Sequence, residues 1–324
     1  MPRLRTGSLA ASNSSLSLQW LRRSHRLVLT GVVATLLGLV LGLGGVAPST
    51  AHAADTDVVT IPDANLKKRL NARISTSRPA AQDITVGEAA ALTGTHSLGG
   101  PFADLTGLEA FKNVTALNIT GISTTTKSTF TSLAPLAGMT KLTSLTLQSG
   151  NAPNLSPLSS LTNLTSLTVR GNGVTDLSPL APLTKLTFLN LLANKIGDGD
   201  LKRLPVLPEL TSLDLGSNRI ADPAPLLDKL DSEKIATLIL SRNRITDASA
   251  LAPLGSGRLS QYASTGEGLI LESNWITDFT AFDSWDKPPS WEQTGEQQLY
   301  VGAYKSGGIV LPELKQGAAY TDPL

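Results

Sequence analysis

Leu164-Thr-Ser-Leu167-Thr-Val169-Arg-Gly-Asn172-Gly-Val174 is followed, 22 residues on, by Leu186-Thr-Phe-Leu189-Asn-Leu191-Leu-Ala-Asn194-Lys-Ile196, with apolar residues and an asparagine at matching places. The frame returns as Leu210, Leu213, Leu215, Asn218, Ile220 and again as Ile235, Leu238, Leu240, Asn243, Ile245. A weaker copy ends in Leu269, Leu271, Asn274 and Ile276, and earlier copies use Val114, Leu117, Ile119 and Leu142, Leu145, Leu147. This is the spacing of neither a lone helix nor a lone strand. It is a block repeat, the mark of a stacked architecture, and it predicts seven strand units.

Each unit carries a second signature, seen in Leu177-Ser-Pro-Leu180-Ala-Pro-Leu183 and Leu133-Ala-Pro-Leu136-Ala-Gly-Met139. Apolar residues three apart over so short a span suit a 3-10 turn, and the prolines disfavour a full α-helix. Leu155, Leu158, Leu161 and Leu201, Leu204, Leu207 repeat it, so short turns are expected on the return side. One unit presents a single layer of leucines that cannot exclude water alone; its neighbours supply the layers above and below. The strand segments are expected to pair in parallel at about 4.8 Å per step. The longer return path then bends the stack and leaves the sheet on a concave wall.

Asn172, Asn194, Asn218, Asn243 and Asn274 stand where the chain leaves the strand. An amide there can donate to and accept from turn backbone groups that would otherwise lie buried without partners, so these five are read as structural. Leading positions counted from Val114 are 28, 22, 22, 24, 25 and 31 residues apart, which marks two insertions as rim loops, one over Ser123 to Ser132 and one over Gly255 to Gly266 with Tyr262.

The ends read differently. Pro62 opens an amphipathic segment with Leu66, Leu70 and Ile74, and Thr85-Val-Gly-Glu88 fits a capping box ahead of Ala89 to Leu92. Leu105, Leu108 and Phe111 supply the first return turn and leave Gly94 to Asp104 as an irregular initial unit. After Asn274 the pattern decays through Phe279 and Phe282, with Trp285 expected to cover the last layer and a hairpin expected around Lys305-Ser-Gly-Gly308.

The first fifty residues run from basic Arg3, Arg5, Arg22, Arg23 and Arg26, through apolar Leu27 to Val46, to the small-residue site Ala51-His-Ala53, the order of an export signal cleaved before Ala54. An uncleaved membrane anchor is the alternative. Taking five arginines from 27 basic residues leaves 22 against 26 acids, a net charge of −4, which gives no support to nucleic-acid binding. With no Cys in the chain and His96 the one His after residue 53, neither thiolate nor His-cluster metal sites are expected, and no cofactor. The composition is 41% hydrophobic with only 4% aromatic, so leucine supplies the core. The expected division is 1–53 signal peptide, 54–104 helical cap with irregular first unit, 105–287 repeats, and 288–324 a β-rich segment.

The repeat, the Ile61-Pro-Asp-Ala-Asn-Leu66 opening and the Leu-Ser-Pro-Leu return turn together resemble the internalin branch of bacterial leucine-rich-repeat proteins, over roughly residues 58 to 285. The resemblance implies an α/β leucine-rich-repeat solenoid with a helical N-terminal cap, a parallel concave sheet, a β-rich segment after the repeats, and protein binding on the concave face. It transfers no partner. The chain departs from that pattern in ending at Leu324 without a sorting pentapeptide, hydrophobic tail or basic terminus, so covalent wall anchoring is not expected.

Strand residues between the inward leucines face the concavity, and among them Phe188, Leu192, Ile239 and Ile270 are apolar without the excuse of core burial. Rimmed by Arg170, Asp214 and Arg242, they are the candidate partner-binding residues; tolerated apolar residues on a broad sheet are the plainer reading. The expected function is an exported binding module for an extracellular or cell-surface protein, or a glycan. The alternative is a structural or self-associating envelope scaffold. No enzyme is expected, because the serines are dispersed and a triad would have to use His96.

Overall fold

A computed structural model describes residues 54–120, 127–260 and 268–285. The expected signal peptide and the C-terminal hairpin lie outside the described residues, as does Tyr262. Helix α1 (Ala64–Ile74) starts at Asp63, whose Oδ1 accepts from the N–H groups of Asn65 (2.9 Å) and Leu66 (3.0 Å). The other oxygen of Asp63 accepts from the N–H groups of Ala103 (2.6 Å) and Asp104 (3.3 Å), which ties the helix to the first rung. Leu66 and Leu70 are buried and Ile74 packs partly against the same core.

Helix α2 (Val86–Ala91) begins with the reciprocal cap read in the sequence: Glu88 N–H donates to Thr85 Oγ1 and Thr85 N–H to Glu88 Oε2. Arg78 grips the same carboxylate at 2.5 and 2.8 Å. The guanidinium and then the Thr85 backbone hold the Glu88 carboxyl below its ordinary range. Thr85→Ala is expected to destabilise the protein by about 1 kcal/mol, read as a lowered urea midpoint. A midpoint equal to wild type would mean the box contributes nothing.

Eight strands then form one parallel sheet in simple chain order: β1 (Gly94–Gly99), β2 (Val114–Thr120), β3 (Ser144–Gln148), β4 (Ser166–Arg170), β5 (Phe188–Asn190), β6 (Ser212–Asp214), β7 (Thr237–Ile239) and β8 (Gly268–Ile270). The repeat predicts seven, and the extra one is β1, inside the segment read as irregular. Of β1 only Leu98 is fully buried, at 1% exposure, so its own pattern is weak. It forms because the backbone of β2 offers it an edge, with Leu98 opposite Ile119.

The register runs Leu117, Leu145, Leu167, Leu189, Leu213, Leu238 and Leu269 in one row across β2 to β8. Leu167, Leu189 and Leu213 are each 0% exposed. The inward sites of adjacent rungs are therefore equivalent, as stacking requires.

Return turns are 3-10 at Leu108–Ala110, Ala134–Leu136, Ser156–Ser160, Ser178–Leu180, Ala224–Leu226, Ser249–Ser256 and Thr280–Phe282. Proline in the first turn and an aspartate just before recur, as in Asp176, whose Oδ1 accepts from Ser178 N and Oγ. These bonds hold the Asp176 carboxyl below its ordinary value. The rung carrying Leu201 differs: Asp198–Leu201 is a turn of α-helix, α3. No proline lies in that turn, and Asp200 accepts from the Gly197 N–H at 2.9 Å, so the wider spiral closes.

The first insertion does not stay on the rim. Its last residues return to the core, with Phe130 1% exposed and Ser128 accepting from Phe102 N–H and donating to the Gly100 carbonyl. The described part of the second begins in the Ser249–Ser256 turn. Trp285 is 7% exposed, meets Phe282 edge-on at 5.1 Å and donates from Nε1 to the Ala252 carbonyl at 3.0 Å, closing the described end of the stack.

Candidate functional site

Side chains alternate along a strand, so the residues between the row of leucines and its inward neighbours stand on the opposite, open face of the sheet. Across the middle of that face the pairing places Thr168, Asn190, Asp214, Ile239 and Ile270 in one row. The next row holds Ser166, Phe188, Ser212, Thr237 and Gly268.

Phe188 is 37% exposed and lies between two serines. Ile239 and Ile270 are adjacent and half-buried, as is Leu192, so the four apolar candidates differ in how far they stand free. Leu192 is half-covered for a local reason. It leans over Gly216, where an added Cβ would come within 3.0 Å of its Cδ1, 3.1 Å of Asp214 Oδ1 and 3.2 Å of Ser241 Oγ.

Arg170 is exposed at the end of β4. Arg242 is exposed on the turn after β7, with φ 55°. Ser149, Ala193, Ser217 and Ser273 share that left-handed conformation at the same point of their rungs, a position non-glycine residues rarely occupy.

Asp214 is not on the rim. It is 8% exposed, in the centre of its row, because register surrounds it with neighbours on both sides. Its Oδ2 accepts from Asn190 Nδ2 at 2.8 Å and its Oδ1 from Gly216 N–H at 2.9 Å. Burial raises its carboxyl above the ordinary aspartate value against the pull of Gly216, Asn190 and Arg170. The Asn190–Asp214 pair escapes a reading along the chain, since 24 residues separate the two; only their shared place in the repeat signals it.

Below the turn, the asparagines form a second network. Asn194 Oδ1 accepts from Asn172 and Val174 N–H on the preceding rung, and its Nδ2 donates to the Val169 and Leu191 carbonyls. Asn218, Asn243 and Asn274 repeat the arrangement, accepting from Ile196, Ile220 and Ile245 N–H at 3.1 Å. Asn172 only donates, to the Leu147 and Arg170 carbonyls, and its buried Oδ1 has no partner. On the preceding rung Phe130 sits so close that a Cβ on Gly150 would stand 2.5 Å from it and 2.6 Å from Asn172 Oδ1. The network therefore begins at this rung.

His96 lies on β1 with Nε2 donating to the Thr93 carbonyl at 2.8 Å, not to a carboxylate. Among the described residues no group of three or more His, Asp or Glu could hold a metal ion, and no helix is long and apolar enough to cross a membrane.

The model for Leucine Rich repeats (2 copies) matches residues 162–204 and that for a single Leucine Rich repeat matches 207–224. Among solved structures, internalin C2 from Listeria monocytogenes is similar at 24% identity, covering 74% of this chain and 96% of that one, with a TM-score of 0.56. An internalin, InlF, from the same organism is 21% identical over 76% of this chain and 100% of that one, at a TM-score of 0.35. The functional domain of InlJ, also from Listeria monocytogenes, is 21% identical over 72% and 56%, at 0.39. No curated protein matches the chain. The repeats thus form a leucine-rich-repeat solenoid whose fold resembles that of an internalin.

Proposed function

We propose that this chain is an exported binding module that recognises a protein or glycan partner outside the cell through the open face of its sheet. The observation that carries this is Phe188, a large apolar side chain 37% exposed on the middle strands, with half-buried Leu192 and Ile239 on the same face. Aromatic side chains backed by a partly desolvated apolar surface are typical anchors of protein interfaces. A parallel sheet edged by turns also offers a broad, rigid platform, and that rigidity limits the ordering cost of association. The internalin-like fold and the basic, apolar, small-residue order of residues 1–53 support secretion, with the product free or held non-covalently at the bacterial surface.

The test is affinity capture from cell-surface and extracellular extracts with purified chain, comparing wild type with a folded Phe188→Ala, Ile239→Ala double variant. A species retained by wild type and lost with the variant is the expected result. Equal recovery by both would remove the binding role of this face. Recovery of only further copies of the chain would instead favour a self-associating scaffold.

A further inference from the structure

We infer that Asp214 is the anchor point for a basic side chain of the partner, a lysine or arginine that reaches the open face between β5 and β7. The inference rests on the reading that a protein partner binds there, and it adds the chemistry that the partner must carry.

Asp214 is the one charged residue in the buried set among the described residues. Every other polar member serves the fold: the asparagines and Ser128 satisfy backbone groups, and Asn71 donates to the Ala80 and Gln82 carbonyls. Asp214 also accepts two hydrogen bonds, but both donors are neutral. Among the described residues it forms no ion pair; Arg170, two strands away, attracts it through space without reaching it. A carboxylate withdrawn from water with no cation beside it is a cost to the free protein, and a partner's positive charge relieves that cost on binding.

The surroundings suit a long cationic side chain. Its neighbours on the same face are Ser212, which projects little, and Gly216 just past β6, over which the Leu192 side chain lies. Phe188 and Leu192 on the β5 side and Ile239 on β7 are apolar. Lysine and arginine have an aliphatic stem that lies along such groups while the charged head seeks polar company, and an aromatic face adds attraction for the cation. An anionic ligand would meet the wrong charge here.

The test selects random twelve-residue peptides displayed on phage against the immobilised full chain and then titrates synthetic copies of those enriched. Peptides sharing a lysine or arginine are expected. Replacing that residue with norleucine or citrulline should weaken binding at least about tenfold, and so should Asp214→Asn. Wild-type affinity should also fall as pH drops toward the carboxylate range, because protonation removes the charge. No titratable side chain on β5 or β7 faces Asp214, and the charged groups Arg170 and Glu272 each stand two strands away. The pH series and the substituted peptides need no variant, so they decide the matter even if Asp214→Asn fails to fold. Selection of no peptides, peptides without a shared basic residue, or affinity indifferent to that residue or to Asp214 would overturn the inference. Peptides lost with Phe188→Ala, Ile239→Ala but unaffected by Asp214→Asn would leave the binding face standing and remove the anchor; indifference to both would remove both.

Discussion

Asn218→Ala is expected to lower the stability of the protein by about 1–3 kcal/mol, read from the urea midpoint. The side chain is 5% exposed and makes four bonds at once. Oδ1 accepts from Ile196 N–H at 3.1 Å, and Nδ2 donates to the carbonyls of Leu191, Leu215 and Gly216 at 3.1, 2.9 and 3.1 Å. In the alanine variant the three carbonyls keep donors in Asn194, Asn243 and the Ala193 N–H. The Ile196 N–H is left without an acceptor in a dry turn, at about 1–3 kcal/mol. That is a large share of the 5–15 kcal/mol by which a typical domain is stable. Asn172→Ala supplies the control within the same column, since the Asn172 amide oxygen has no partner to lose. It should cost visibly less. Equal midpoints for the two variants would show that the acceptor half of the network contributes nothing.

Leu189→Ala is expected to cost roughly 2–5 kcal/mol, the range for deleting a buried leucine side chain and leaving a cavity. The residue is 0% exposed and stands between Leu167 and Leu213, so the void opens two rung interfaces together. Hydrogen exchange should accelerate first in β4 to β6 rather than in the cap, because each rung of a stack depends on its immediate neighbours. Phe188→Ala, one residue earlier, should cost well under half as much, since that ring faces the open side. If both variants lost the same stability, the assignment of Phe188 to the open face would fall.

Particular residues show where reading along the chain succeeds and where it stops. The leucine row and the five asparagines are legible because each rung repeats the same local demand, so the pattern returns in phase. The cap is legible at Thr85 and Glu88, where both partners lie within one turn. Strand β1 is not, because a strand with one buried side chain is made by its neighbour's edge. Nor is the burial of Ser128 and Phe130, which depends on how an insertion folds back over Gly150.

Periodicity alone determined that this protein is a stack of leucine-lined rungs with structural asparagines at the turns, because each rung's interior is specified by residues close together in the chain. Only the tertiary structure decided which apolar residues of the open face stand free, that Asp214 is buried beside Asn190, and that the asparagine network starts at an amide oxygen with no donor. Those properties depend on what the rungs before and after place at each position, a relation between residues more than twenty apart that neither rung contains on its own.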